Sequence, residues 1–186
     1  MARGSVLVRD AAQSDAAALV AIWEDFSSPD RSHLSQATPS DTARAIRRLE
    51  TDPSERLLVA VIDEQPVGVA HLRRAPISPI HDQDAVHVGN LHVLSDYRRR
   101  GVGTSLMTAA ADWAEEKDSA HIVASVAASA RDSNRFLARL GMGQAAVVRA
   151  STVAGLRSRL SSAANKSMTT NVVATRRLMR RSRDTT

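Results

Sequence analysis

The segment DYRRRGVGT, residues 96–104, lies near the middle of a chain of 186 residues. It follows an apolar, strand-like run and precedes a segment with helical periodicity, so it predicts a turn that ends at a helix N-terminus. Unpaired N–H groups and the helix dipole favour an anion at such a position. Two glycines allow a ligand to approach the backbone, and three consecutive arginines add positive charge. The segment therefore predicts a pyrophosphate-binding turn, with an ordinary basic turn as the alternative.

Two other phosphate-binding loops do not fit this segment. A Walker A loop ends in Gly-Lys-Ser/Thr, whereas Gly103 is followed by Thr104 and Ser105 without a lysine. A dinucleotide-binding fingerprint needs a third glycine and an early βαβ unit, but this turn lies in mid-chain after a predicted hairpin. Both classes are excluded.

The sequence upstream of the turn predicts a strand, two helices and three more strands. Ser5–Arg9 reads as the first strand, and Ser14 can cap a helix that carries Asp15 in its first turn. Ala18, Leu19, Ile22, Trp23 and Phe26 fall on one face of that helix. A polar loop, Ser27–Pro39, leads to a second helix that begins near Ser40 and turns Ala45, Ile46 and Leu49 inward.

The three further strands surround a short turn and a loop. Leu57–Ile62 and Val67–Leu72 are joined by a short polar link, which predicts an antiparallel hairpin. Val86–Leu94 is the last strand before the turn, and Gly89 within it predicts a bulge or a close approach of the backbone.

Downstream of the turn the pattern alternates between helices and strands. The first helix buries one face, Ile122–Val126 is a strand, and Gly141 ends a helix over Ser133–Leu140. Ala145–Ala150 predicts a last strand and Val153–Leu160 a last helix. The buried face of the first helix consists of Leu106, Met107, Ala110, Trp113 and Ala114. The whole order predicts a mixed sheet covered by helices.

The basic character of the chain is concentrated at its end. The net charge is +5, but the 36 residues from Ser151 onward contain eight Lys and Arg residues and a single acid. The first 150 residues therefore carry a net charge of −2, so the total charge alone does not indicate a nucleic-acid-binding protein. The arginine-rich segment 176–183 reads as a solvated or disordered end, with nucleic-acid binding as the less favoured alternative.

Arg98-x-x-Gly101-x-Gly103 matches the R/Q-x-x-G-x-G/A pyrophosphate motif of the GNAT family of N-acetyltransferases. The order of elements from Ser5 to Ala150 also resembles that family, including the segment Asn134–Met142. The resemblance implies an α/β fold, a mixed and mostly antiparallel sheet flanked by helices. It implies an acetyl-CoA-binding domain over residues 1–150 and leaves 151–186 as a basic C-terminal extension.

The resemblance also implies a function and a set of binding residues. The expected activity is transfer of an acetyl group from acetyl-CoA to a primary amine of a small molecule or protein, by direct attack. The alternative is an inactive CoA-binding module or a nucleic-acid-associated module. The implied cofactor-binding residues are Leu91, His92, Val93, Arg98, Arg99, Arg100, Gly101, Val102, Gly103, Thr104 and Asn134.

The catalytic base that the resemblance implies is His87. The branch of the family that acetylates histones places a glutamate eleven residues before the motif, and His87 occupies that position here. A histidine can accept a proton near neutral pH. The rival candidates are water and the side chains of His71, His81, His92, Asp82 and Asp84.

The family's catalytic acid, a tyrosine, has no counterpart in this chain. Leu137 stands at the corresponding position, and the only tyrosine, Tyr97, belongs to the turn. Ser133, one helical turn before Leu137, is a weaker candidate for the acid, and a capping or surface role is its alternative. Turnover would then proceed without a tyrosine acid.

Composition supplies the remaining expectations. The chain has no cysteine, which excludes a thiolate nucleophile and a cysteine-based zinc site, and no metal is expected. The sequence shows no signal peptide or membrane span, so a cytoplasmic protein without a membrane partner is expected. A homodimer is left open.

Overall fold

The computed structural model describes residues 5–26, 37–80, 82–127, 129–146, 149 and 151–162. The chain divides into two units, Met1–Gly141 and Met142–Thr186. The strands of the first unit are β1 (Leu7–Asp10), β2 (Glu55–Ile62), β3 (Gln65–Pro76), β4 (Asp84–Val93) and β5 (His121–Ala124). Its α-helices are α1 (Ala16–Phe26), α2 (Pro39–Glu50), α3 (Val102–Glu116) and α4 (Arg131–Arg139).

The five strands form one sheet in the order β1-β2-β3-β4-β5. The first four strands pair antiparallel, and β5 pairs parallel with β4. Asp63 and Glu64 join β2 to β3 with φ of 49° and 64°, the left-handed conformation that a two-residue hairpin turn requires. The expected mixed, mostly antiparallel sheet flanked by helices is confirmed.

Helices cover the two faces of the sheet unequally. One face packs on α1 and α2, where buried side chains of the sheet meet Leu19, Ile22 and Ile46. The opposite face packs on α3 so closely that a Cβ on Gly68 would lie 3.0 Å from a methyl group of Val102. All five predicted inward residues of α3 are buried.

Two local predictions in this unit are wrong. Ser14 does not cap the first helix, because Ala12 is the N-cap of a short 3-10 turn, Gln13–Asp15, that precedes α1. The Asp15 carboxylate accepts a hydrogen bond from the Ala12 N–H at 2.7 Å, as in a capping box. In α2, Ala45 is exposed, and Ala43 packs against the core instead.

The second unit contains a helix at residues 153–162, which confirms the helix predicted over Val153–Leu160. The strand predicted over Ala145–Ala150 is not formed at Ala145, Ala146 or Arg149, and its other residues lie outside the described ones. Most of the predicted loop Ser27–Pro39, the side chain of Phe26, the whole of His81 and the arginine-rich segment 176–183 also lie outside them. None of the described helices is long and apolar enough to span a bilayer.

Candidate functional site

Among the described residues, the strand β4 has partner strands on both sides over only half of its length. Residues Ala85–Val88 pair with β5, and the last backbone hydrogen bond runs from Ser125 N–H to the Val88 carbonyl at 2.9 Å. From Gly89 to Val93, about 13 Å of strand at about 3.3 Å per residue, β4 has no partner on that side among the described residues. Within the part of the chain that the structure describes, half of β4 is therefore an open sheet edge, which can bind an extended ligand by backbone hydrogen bonds.

A bulge separates the two halves of the strand. Asn90 has a φ of 50°, and the pairing of β3 with β4 shifts register between Val69 and His71. The predicted bulge is thus present, one residue after Gly89. Leu94 N–H donates to the Val67 carbonyl, which directs the backbone of Leu94 towards β3.

The backbone directions of the open half follow from this hydrogen bond. Because successive residues point to opposite sides of a strand, His92 also directs its backbone towards β3, while Leu91 and Val93 direct theirs to the open edge. The Arg98 side chain reaches this edge, where its Nε donates to the Val93 carbonyl at 3.1 Å. Of the three strand residues predicted to bind cofactor, Leu91 and Val93 direct their backbone to the open edge and His92 directs its backbone to β3.

The predicted phosphate turn connects this open edge to the start of α3. Arg99 has a φ of 60°, and Gly101, the N-cap of α3, has a φ of 88° without any side-chain cap. The first N–H groups of α3 therefore lack a capping side chain, which suits an anionic ligand. Arg98, Arg99, Arg100 and Thr104 are exposed, whereas the Val102 side chain is buried, so Val102 can offer only its backbone.

The two ends of the turn are held by aromatic rings. The Arg100 guanidinium lies 5.1 Å from the centre of the Tyr97 ring, and the Tyr97 hydroxyl donates to Gln65 Oε1 at 2.9 Å. At the other end a Cβ on Gly103 would lie 3.3 Å from the Phe136 ring. This contact brings α4 against the start of α3, and a larger residue at position 103 would require the Phe136 ring to shift by a few tenths of an ångström.

The helix α4 carries the other predicted residues. The side-chain amide of Asn134 donates to the carbonyls of Ala127 and Ala130 at 3.0 and 2.9 Å, so it fixes the loop before its own helix. Ser133 is half-buried and Leu137 is 6% exposed. A leucine side chain cannot donate a proton, and its burial shows that α4 uses this position for packing.

Strands β3 and β4 carry three histidines on one face of the sheet. Val69 packs with α1 and α2, and side chains of paired residues share a face. His92 pairs with Val69, and His87 pairs with Arg73, two positions beyond His71. His71, His87 and His92 therefore lie on the face of α1 and α2, where an added Cβ on Gly89 would meet no described atom within 4 Å.

Two of these histidines contact carboxylates. His92 Nε2 lies 2.6 Å from Asp25 Oδ2 at the end of α1, and the His92 side chain is 10% exposed. His71 Nε2 lies 3.0 Å from Glu55 Oε2. Burial is the largest effect on the pKa of His92 and lowers it below its ordinary value. The Asp25 carboxylate raises this pKa in part, and the positive charge of Arg98 lowers it. The net effect favours the neutral form of this imidazole.

The predicted base, His87, lies in the paired half of β4. Its backbone neighbour on β5 is Val123, and its Nε2 lies 3.3 Å from the Ala75 carbonyl. Of the other candidates, Asp84 pairs with Arg74 at 2.9 Å, Asp82 is exposed, and His81 is outside the described residues. Among the described residues, no group of three or more His, Asp or Glu side chains is placed to hold a metal ion.

Sequence reasoning missed Asp25 and Glu55. Asp25 is 67 residues from His92 in the chain, and Glu55 is 16 residues from His71. Each acid looks like an ordinary surface carboxylate in its own segment, so no local pattern could have identified it.

Comparison with known proteins gives one family and several solved structures. The family model described as "Acetyltransferase (GNAT) family" matches residues 18–142. No curated protein sequence matches the chain. A transcriptional regulator from Bacillus halodurans C-125 superposes with a TM-score of 0.70 at 21% identity, covering 80% of this chain and 99% of that one.

Two acetyltransferase structures are similarly close. The glucosamine-6-phosphate N-acetyltransferase from Arabidopsis thaliana has a TM-score of 0.67 at 10% identity, with 80% of this chain and 99% of that one covered. The aminoglycoside N-acetyltransferase AAC(6')-Iy in complex with CoA has a TM-score of 0.66 at 14% identity, with 80% and 95% covered. At these identities the structural likeness shows the fold, and the family model shows the family.

Proposed function

The chain belongs to the GNAT family of acetyltransferases, and from that premise we propose that it transfers an acetyl group from acetyl-CoA to a primary amine. The observation that supports this proposal most is the continuity of two features. The open edge of β4 ends at Val93, and the turn that follows leads to the uncapped N-terminus of α3. A ligand with an extended, amide-containing arm and a pyrophosphate fits both.

The proposed donor site follows from this geometry. The pyrophosphate would lie against the N–H groups of residues 101–104, with Arg98, Arg99 and Arg100 supplying positive charge. The pantetheine arm would pair with the backbone of Leu91 and Val93 as an added strand. Asn134 would act through the loop that its amide fixes. The similar aminoglycoside N-acetyltransferase was solved with CoA, which supports the same donor.

The proposed reaction is direct attack without a covalent enzyme intermediate. The neutral amine nitrogen forms a bond to the thioester carbonyl carbon, the nitrogen loses a proton to a base, and the C–S bond breaks to release CoA thiolate. Backbone N–H groups at Leu91 and Val93 would stabilise the oxyanion. His87 is the base that the family pattern predicts. The thiolate leaves readily without an acid, which accords with a buried leucine at position 137.

A matched pair of variants at Gly101 tests the donor site. Asn and Asp have nearly the same shape, and both tolerate the left-handed conformation that Gly101 adopts. Gly101→Asp adds a negative charge where the pyrophosphate would bind, and Gly101→Asn does not. Calorimetric titration with CoA should give about 10- to 100-fold weaker binding for Gly101→Asp than for Gly101→Asn. Equal affinities of the two variants would show that the turn does not bind the pyrophosphate of CoA.

A thiol-release assay separates the enzyme from an inactive CoA-binding module. The alternative is favoured by one observation, the absence of a tyrosine at position 137 of α4. The assay presents acetyl-CoA with polyamines, aminoglycosides and peptides that have free N-termini. An enzyme accelerates CoA release with at least one of them. Tight CoA binding without acceleration by any amine would indicate the binding module.

A further inference from the structure

Two histidines of β4 can be compared as proton acceptors for the proposed reaction. His87 lies in the half of β4 that pairs with β5, and its imidazole contacts the backbone carbonyl of Ala75. His92 lies in the open half, between Leu91 and Val93, the two residues that direct their backbone to the edge. Of the two, only His92 neighbours the stretch of strand that the acetyl-CoA arm would pair with.

The Asp25–His92 contact joins two distant elements into a carboxylate–imidazole pair. Asp25 belongs to the last turn of α1, and its Oδ2 lies 2.6 Å from His92 Nε2. A carboxylate at this distance accepts the Nε2 proton, which fixes the ring orientation and puts the lone pair of the neutral imidazole on Nδ1. An orienting acid on one nitrogen and a basic second nitrogen are what a general base requires.

We propose that His92, oriented by Asp25, takes the proton from the attacking amine. This inference rests on the proposed function. After the amine nitrogen bonds to the thioester carbon it carries a positive charge and is far more acidic than a free ammonium, so an imidazole can deprotonate it. The C–S bond then breaks with its electron pair on sulfur, and the thiolate takes up a proton from solvent. Asp25 is a positioning residue that stabilises the imidazolium formed.

The surroundings of His92 determine how the step depends on pH. The charged groups that act on it include Asp25 from α1 and Arg98 from the turn. The same face also carries the titratable side chains of His71 and His87, whereas Val69, the β3 partner of His92, cannot titrate. Burial sets the direction and lowers the pKa of His92, so the active, neutral imidazole persists below the pH at which an ordinary histidine becomes protonated. Because the Asp25 carboxylate raises this pKa in part, its removal must shift the acid limb of activity further down.

The first experiment compares histidine variants with the panel amine that gives the highest wild-type rate. His92→Ala should lower kcat about 10²–10⁴-fold, while its Kd for CoA stays within threefold of wild type. His92→Gln, which keeps a polar side chain of similar size, should show the same loss and guards against a folding defect. His121→Ala, an exposed histidine at the start of β5, is the matched control and should keep wild-type kcat.

The second experiment measures the pH profile of kcat for Asp25→Asn. The amide can still accept the Nε2 proton but carries no charge, so the acid limb should move to lower pH, and kcat should fall about tenfold or more. Titration of the acceptor amine contributes equally to both profiles and does not affect the difference. A purely structural role for Asp25 would lower the melting temperature and leave the limb in place, which would contradict the proposal.

The outcomes separate this inference from the proposed function. If His92→Ala keeps its rate and His87→Ala loses it, His87 is the base and the inference is wrong while the acetyltransferase proposal stands. If no amine of the panel accelerates CoA release by the wild type, the proposed function is wrong, and this inference, which rests on it, is wrong as well.

Discussion

The two halves of β4 belong to one strand but differ in their surroundings. Ala85–Val88 has a partner strand on each side and alternates buried valines with His87. Gly89–Val93 has a partner on one side only, among the residues that the structure describes, and contains a left-handed residue, Asn90. The backbone groups of the first half are already paired, so this half can contact a ligand only through its side chains. In the second half, backbone groups on one side have no partner strand among the described residues, and we propose that they bind the ligand.

A contrast of the same kind occurs along α1. Asp15, just before the helix, pairs with Arg9 through two hydrogen bonds and is 5% exposed. Asp25, in the last turn, contacts His92 and is more exposed. The Asp15 carboxylate stabilises the fold, and we propose that the Asp25 carboxylate orients the catalytic base. The predictions that follow test whether stability and function separate along these lines.

The largest effect on stability is expected where β3 pairs with the Ala85–Val88 half of β4. Leu72 pairs with Val88 and is fully buried. Leu72→Ala should lower the free energy of unfolding by about 2–5 kcal/mol, measured by urea denaturation. Leu7→Ala, on β1 with 59% exposure, is the control and should cost less than about 1 kcal/mol. Similar losses in the two variants would show that this part of the sheet is not the core.

A smaller effect is expected from Asp15→Asn. The hydrogen bond with Arg9 is the main cause that lowers the pKa of Asp15. The Asp15 carboxylate therefore stabilises the fold above about pH 4. This contribution is lost as the pH falls through the lowered pKa of the folded state. At pH 7 the variant should lose about 1–3 kcal/mol of unfolding free energy and should depend less on pH than wild type below about pH 4.

The same variant tests the contrast along α1. Asp15→Asn should leave kcat of the folded enzyme unchanged, whereas Asp25→Asn should lower kcat with little loss of stability. A reversed pattern would show that the two ends of the helix have been assigned the wrong roles. Asp112→Asn, an exposed acid on α3, is the control for the loss of one negative charge.

A third prediction concerns the bulge that divides the strand. Asn90 has a φ of 50°, which valine avoids and glycine adopts freely. Asn90→Val should be about 1–2 kcal/mol less stable than Asn90→Gly, and its CoA affinity should fall because the open half would shift register. Equal unfolding free energies and CoA affinities would mean that the division of β4 does not depend on the bulge.

The sequence predicted the parts of this molecule that depend on neighbouring residues. Gly101 and Gly103 indicated the turn, and the polar link Asp63–Pro66 indicated the hairpin, whose turn consists of Asp63 and Glu64. Both predictions were possible because turn conformations depend on a few consecutive residues. The inward face of α3 followed from helical periodicity. Each of these features is local, and each was found where it was predicted.

The parts that the sequence did not predict depend on contacts between distant residues. His92 was assigned a backbone role because its position in the strand resembles the family pattern, but the register with Val69 turns its backbone towards β3. The Asp25 contact exists only because α1 packs over β4. Even the bulge fell on Asn90 rather than Gly89, since the choice depends on pairing with β3.

The smallest effect is expected at Tyr97, the only tyrosine of the chain and so the only residue of the family's usual acid type. Its hydroxyl donates to Gln65, and its ring lies under Arg100, so both groups already serve the turn that continues the open half of β4. Tyr97→Phe keeps the ring and loses the hydrogen bond, which should cost about 0.5–1.5 kcal/mol of unfolding free energy with kcat and CoA affinity unchanged. Tyr97→Ala removes the ring as well and should also weaken CoA binding, since Arg100 is no longer held at the turn. A fall in kcat for Tyr97→Phe would instead make the phenol the proton donor to the thiolate and would move the reacting sulfur towards the turn.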